Sequence, residues 1–151
     1  MSELRKPSPD LKFWEDPEPG RLIGRGHNAG DFLQAYDWEV LEQRAGWLRV
    51  RAPLPDHLLN PRGELFGGFT PAYVDFMALH TFWAGRDFTP GNPWLMTLNL
   101  RIDYFDPVRG PEFEMVGRLV HSRNSLHWTE CQFSDPEGKL LALGHATLKT
   151  T

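Results

Sequence analysis

The stretch NPRGELFGGFTPAYVDFMALH, Asn60 to His80, decides how the rest of the chain is read. Two adjacent glycines, Gly67 and Gly68, stand before a run in which Thr70 can cap a helix and Pro71 fits its first turn. Gly85 supplies the stop. The helix predicted between Phe69 and Trp83 is apolar on nearly every face, so it belongs inside the curve of a sheet rather than on a surface. One carboxylate, Asp75, interrupts that run.

On either side the periodicity changes from helical to alternating. DFLQAYDWEV (31–40) reads as a short helix running into a strand. WLRVRAPL sets Leu48, Val50 and Ala52 against Arg49 and Arg51, the pattern of a half-buried strand. After the helix, LMTLNLRIDYF sets Met96, Leu98, Leu100, Ile102 and Tyr104 against Thr97, Asn99, Arg101 and Asp103. Further strands are expected near Glu112–His121, Leu126–Phe133 and Lys139–Leu148, separated by SRNS and DPEG turns. One long helix and an antiparallel meander make an α+β fold.

An ionised Asp in a helix interior is costly unless it is paired, hydrogen-bonded or at a wet edge. Asp75 is therefore either a structural residue at the edge of the helix or a carboxylate lining a cleft, poised as base or nucleophile. The glycine pair bears on the choice, because the first N–H groups of a helix have no internal partner and can hold an oxyanion. Gly67 and Asp75 lie eight residues apart, about 12 Å along a helix, too far to serve one carbonyl. A catalytic role thus requires two copies of the chain, each lending its helix start to the other's Asp75, with the strand from Leu95 to Phe105 as the candidate to pair across the two-fold axis.

The 151 residues suit one domain with its own core, at 40% apolar and 24% charged. A net charge of -4 offers nucleic acid or an anionic membrane no global attraction. The single Cys131 excludes an internal disulfide, and with no long apolar segment or secretion signal the expectation is a cytoplasmic protein. Residues 1–30, rich in Pro, Gly and charge, read as an arm that Phe13 and Trp14 could anchor on the domain formed by residues 31–151. Within the arm, GRGHNAG lacks the spacing and the preceding strand of a dinucleotide loop. The six histidines show no metal-ligand spacing, no cofactor is implied, and no G-x-S-x-G elbow occurs. His80, five residues beyond Asp75, points elsewhere on the helix.

Asn60, Gly63, the Gly67–Gly68 pair, Asp75 at its distance into the helix and LMTLNLRIDYFDP with its Tyr104-x-x-Pro107 ending together resemble the hotdog-fold thioesterases, specifically the phenylacetic-acid-pathway (PaaI-like) and acyl-coenzyme A thioesterase 13-like group. The resemblance runs from about Tyr36 to Leu148. It implies a central helix wrapped by a curved antiparallel sheet, hydrolysis of acyl-coenzyme A thioesters, and a homodimer or dimer of dimers. By the same resemblance Asp75 is base or nucleophile and Thr97 positions water. The Gly67 N–H polarises the thioester carbonyl and Asn60 helps hold the reacting group, both offered from the partner subunit. Phe66 stands where the family usually has His, which implies a slower enzyme, a different acyl group, or an acyl-coenzyme A binding module without turnover. Phe66 and Gly68 are expected beside the substrate. So are Arg123 and Ser125 of the HSRNSLH turn, with Arg123 either at the coenzyme A phosphates or merely solvated.

Overall fold

The computed structural model describes residues 15–87 and 92–151, so the expected anchors Phe13 and Trp14 lie outside the described residues. Strands β1 (Glu39–Arg44) and β2 (Trp47–Pro53) precede the long helix α2 (Thr70–Trp83). Strands β3 (Leu95–Tyr104), β4 (Glu112–Arg123), β5 (Leu126–Ser134) and β6 (Leu140–Thr150) follow it. They form one antiparallel sheet in the order β1-β2-β4-β5-β6-β3. This is the hotdog arrangement expected from the sequence. The segment 31–40 is less regular than expected: a short helix α1 (Asn28–Phe32) starts earlier, capped by the His27 side chain, and a separate 3-10 turn (Ala35–Asp37) leads into β1.

A row with three small residues at its centre explains how the sheet receives the helix. The registers align Leu48, Gly117, Cys131, Gly144 and Ile102 across β2, β4, β5, β6 and β3. A Cβ placed on Gly144 would fall 2.4 Å from Val74 Cγ2, and one on Gly117 only 3.3 Å from Met77 Cε, with Thr81 closer still. The missing side chains thus let α2 sit closer to the sheet than larger residues allow. Tyr73, Val74, Met77 and Phe82 are buried on the sheet side, and Phe113, Met115, Phe133 and Leu148 meet them from the strands. Each such side chain contributes roughly 1.5–3 kcal/mol on leaving water. Outside the curve the sheet is charged, with Glu114 accepting from both Arg49 and Arg51.

Two expectations about local structure are corrected. Thr70 does not cap α2: it is buried inside the helix, and the chain enters through a 3-10 turn at Gly67–Phe69 whose last residue is the N-cap. The glycines permit that tighter entry. Nor does β3 alternate without interruption, because the register with β6 slips between Thr97 and Asn99. Thr97 lies opposite Leu148, and Leu100 and Ile102 lie opposite Ala146 and Gly144. The extra residue, Leu98, therefore brings Thr97 onto the same inward face as Leu100 and Ile102, while Met96 and Leu98 turn outward with 45% and 50% of their surface exposed.

The two edges of the sheet differ. β1 ends in the charged and polar Glu42-Gln43-Arg44, and its other end is covered where Arg21 bridges Glu39 and Val40 N–H donates to Gly20 O. That edge is protected. Among the described residues β3 pairs only with β6, and it presents Met96 and Leu98, flanked by exposed Trp94, Tyr104 and Phe105. A long apolar edge of this kind invites strand pairing with another chain.

Candidate active site

Asp75 projects from the middle of α2 and is partly exposed, so it is neither a fully solvated nor a fully buried charge. Thr97 Oγ1 donates to Asp75 Oδ1 at 2.5 Å. The bulge at Leu98 makes this contact possible, since uninterrupted alternation would turn Thr97 away from the face that carries Leu100. With Oδ1 engaged, Oδ2 is the oxygen left to accept a proton or attack a carbonyl.

The helix entrance carries the second half of the chemistry. Phe69 N–H bonds back to Phe66 O and Thr70 N–H to Gly67 O, whereas the N–H groups of Gly67 and Gly68 find no acceptor among the described residues. Both glycines are exposed. Tyr104, at the far end of β3, donates from its hydroxyl to Gly67 O at 2.6 Å and so fixes this loop. Sequence reading used Tyr104 only as part of a strand ending and missed this role; no local pattern announces a contact spanning 37 residues. Phe66 is 50% exposed and its ring lies over Gly68, where a Cβ would meet Cε1 at 2.6 Å. A Cβ on Gly67 would meet the Tyr104 ring at 3.6 Å. Phe66 also meets Phe69 edge-on, and Phe69 in turn meets Phe32, forming an aromatic surface beside the free N–H groups.

Asn60 is occupied within its own loop. Its Oδ1 accepts from the N–H groups of Arg62 and Glu64, a side-chain turn that closes the loop ahead of the helix. Gly63 takes φ +76 there, a left-handed conformation suited to glycine. Glu64 accepts from Arg109 at 2.7 Å, and that bond, aided by Asn60 and opposed by desolvation, holds its carboxyl below the usual range. Within one chain Asn60 therefore has a structural duty. Arg123 is exposed at the end of β4, without an ion pair among the described residues. Ser125 O accepts from Thr150 N–H, which ties the β4–β5 turn to the end of the sheet where β3 begins.

At that same end lies a cavity of ≈ 340 Å³ that sequence reading did not foresee. Leu79, His80 and Trp83 of α2 form one wall, Trp94 and Leu95 another, and Leu22 and Ile23 of the arm a third. The arm residues come to the site because the segment before α1 packs on the body, with Ile23 buried and His27 edge-on to Phe76. His80 stacks on Phe76 at 4.3 Å and donates from Nδ1 to Phe76 O at 2.9 Å. Burial pushes its pKa down to about 4, the nearby His27 adds to the fall, and the bond to Phe76 opposes it.

The structure thus joins Asp75 to Thr97, and separates this pair from Gly67 of the same chain by two turns of helix. Among the described residues no cluster of His, Cys, Asp or Glu could hold a metal ion, and no helix is long and apolar enough to cross a membrane.

Comparison with known proteins agrees with the architecture. A thioesterase from Pseudomonas aeruginosa, PA1618, solved as a point mutant, is similar over 93% of this chain and 99% of its own, with a TM-score of 0.70 and 18% identity. Zebra fish thioesterase superfamily member 2 is similar over 83% of this chain and 86% of its own (TM-score 0.68, 18% identity). A hypothetical thioesterase protein from Streptococcus pneumoniae TIGR4, solved with coenzyme A, is similar over 76% and 89% (TM-score 0.67, 18% identity). A search of curated proteins finds no match. The sequence profile of the Thioesterase superfamily matches residues 62–142, which include the glycine pair, Asp75 and Thr97, and cover more than half of the chain. On that match, the chain belongs to the thioesterase superfamily.

Proposed function

We propose that the protein hydrolyses acyl-coenzyme A, or a related acyl thioester, in a homodimer formed along the β3 edge. The observation that carries this reading is the Asp75–Thr97 pair: a carboxylate set into an otherwise apolar helix, with one oxygen held at 2.5 Å by a hydroxyl. Membership of the thioesterase superfamily and the coenzyme A bound to the Streptococcus pneumoniae relative support the substrate class. The apolar, unpaired edge of β3 supports the dimer.

In this reading the thioester carbonyl lies between Asp75 of one subunit and the Gly67 N–H of the partner subunit. Asp75 Oδ2 takes a proton from water as the oxygen attacks the carbonyl carbon, and the charge that develops on the carbonyl oxygen is held by the amide hydrogen. The C–S bond then breaks, the thiolate recovers the proton, and a carboxylic acid and free thiol leave. Thr97 keeps the carboxylate in place. Asn60 of the partner subunit supports the glycine loop through its turn.

Asp75→Asn preserves shape and removes the base. Steady-state release of free thiol should fall at least about 100-fold, and unchanged turnover excludes the mechanism. Phe66 motivates a second reading, a module that binds acyl-coenzyme A without turning it over. The exposed Gly67, whose N–H has no acceptor among the described residues, favours catalysis. Saturable binding with no hydrolysis across short, long and aryl acyl groups would favour the module.

A further inference from the structure

The cavity wall begins one helical turn beyond the carboxylate. Leu79 is one helical turn past Asp75, and Leu95 precedes Thr97 by two residues on the same inward face of β3. An acyl group whose carbonyl is held at Asp75 therefore has its tail directed along α2 into this space. This placement rests on the thioesterase reading above.

The wall is mainly apolar, and its polar members include His27, His80 and Asn92. A carbonyl oxygen only accepts, so the bond from His80 to Phe76 O assigns the proton to Nδ1. Nε2 is then a bare lone pair on a ring that forms part of the cavity wall, with no bond to it among the described residues. His27, the other imidazole in the wall, has its Nδ1 occupied by Gly30 N–H. The depressed pKa of His80 agrees with a ring that stays neutral through the physiological range.

We propose that His80 reads the far end of the acyl group, selecting tails that carry a hydroxyl or N–H donor over apolar tails of equal length. His80 stands five residues past Asp75, about 7.5 Å along the helix axis and about 140° around it, so a tail of roughly six bonds or more follows the cavity wall from one to the other. A cavity of ≈ 340 Å³ accommodates such a tail. A hydroxyl that entered an apolar cavity without an acceptor would be disfavoured, so a preference for the hydroxylated tail is diagnostic of a partner.

The test compares 6-hydroxyhexanoyl-coenzyme A with heptanoyl-coenzyme A, matched in length, using the full chain. The ratio of kcat/KM should favour the hydroxylated substrate by about 10- to 100-fold. His80→Phe, which retains stacking on Phe76, should bring the ratio to about one or below, while His80→Gln, which keeps an acceptor, should retain part of it. A wild-type ratio at or below one overturns the proposal whichever variants fold, as does a preference that survives His80→Phe. Calorimetry with the non-hydrolysable thioether analogues separates this proposal from the thioesterase reading. Tighter binding of the hydroxylated analogue without turnover of either thioester would sustain the role of His80 and refute hydrolysis. Equal turnover of both would do the reverse.

Discussion

Gly144→Ala tests whether the close seating of α2 holds the site together. The added Cβ would lie 2.4 and 2.8 Å from the two Val74 methyls, about 1 Å inside ordinary contact. Val74 cannot swing aside, because a β-branched residue in a helix has essentially one rotamer. The helix must therefore retreat or the strand must bend. Overpacking of this kind costs about 1–3 kcal/mol, and the stiffer unfolded chain offsets about 0.4–1 kcal/mol of it, for a net loss of about 1–2 kcal/mol. With a urea slope of about 2 kcal/mol/M the midpoint should fall by about 0.5–1 M at constant slope. Val74→Ala alone should also destabilise, by about 2 kcal/mol through lost burial and a cavity. The double variant should lose less than the sum by at least about 1 kcal/mol, since alanine at 144 then enters the space that the methyls vacate. Val74 precedes Asp75, so the retreat also draws the carboxylate from Thr97, and thioester turnover should fall about 10- to 100-fold. An unchanged urea midpoint, or strictly additive losses in the double variant, would refute the reasoning.

Other outcomes follow from the same geometry. Thr97→Val keeps the shape and removes the donor to Asp75, so kcat should fall about 10-fold with little change in the urea midpoint; undiminished kcat would remove Thr97 from the mechanism. The pKa of His80 is pushed from 6.5 to about 4 in the folded chain, so between these values the unfolded state binds the proton and the folded state does not. Stability should therefore drop as pH falls from 6.5 towards 4, by an amount on the order of 3 kcal/mol, with no further loss from this group below that window. His127, also lowered by burial, acts with the same sign, so unfolding of wild type against His80→Gln at pH 7 and 4.5 isolates the His80 share. Parallel losses in the two proteins would exclude it.

The helix and most strands were legible because their signals are local. An apolar run ending at Gly85, with φ +68, reads as a buried helix that must stop, and alternation around Val50 reads as a strand. The carboxylate at 75 stood out for the same reason, since a charge amid apolar neighbours requires a partner. Its partner was another matter. Simple alternation set Thr97 against Leu100, and only the bulge at Leu98 turns the hydroxyl inward to a residue 22 positions away. Bulges answer to pairing across a sheet, and no neighbour in the chain encodes them.

Sequence by itself determined the α+β class, the central helix, the glycine-led entrance and the isolated Asp75, each a matter of spacing along the backbone. Tertiary structure decided that Tyr104 anchors the Gly67 carbonyl and that the arm helps to wall a cavity beside His80. Those contacts join segments distant in the chain. They form because α2 can lie against Gly117 and Gly144, and that proximity is a property of the packed sheet.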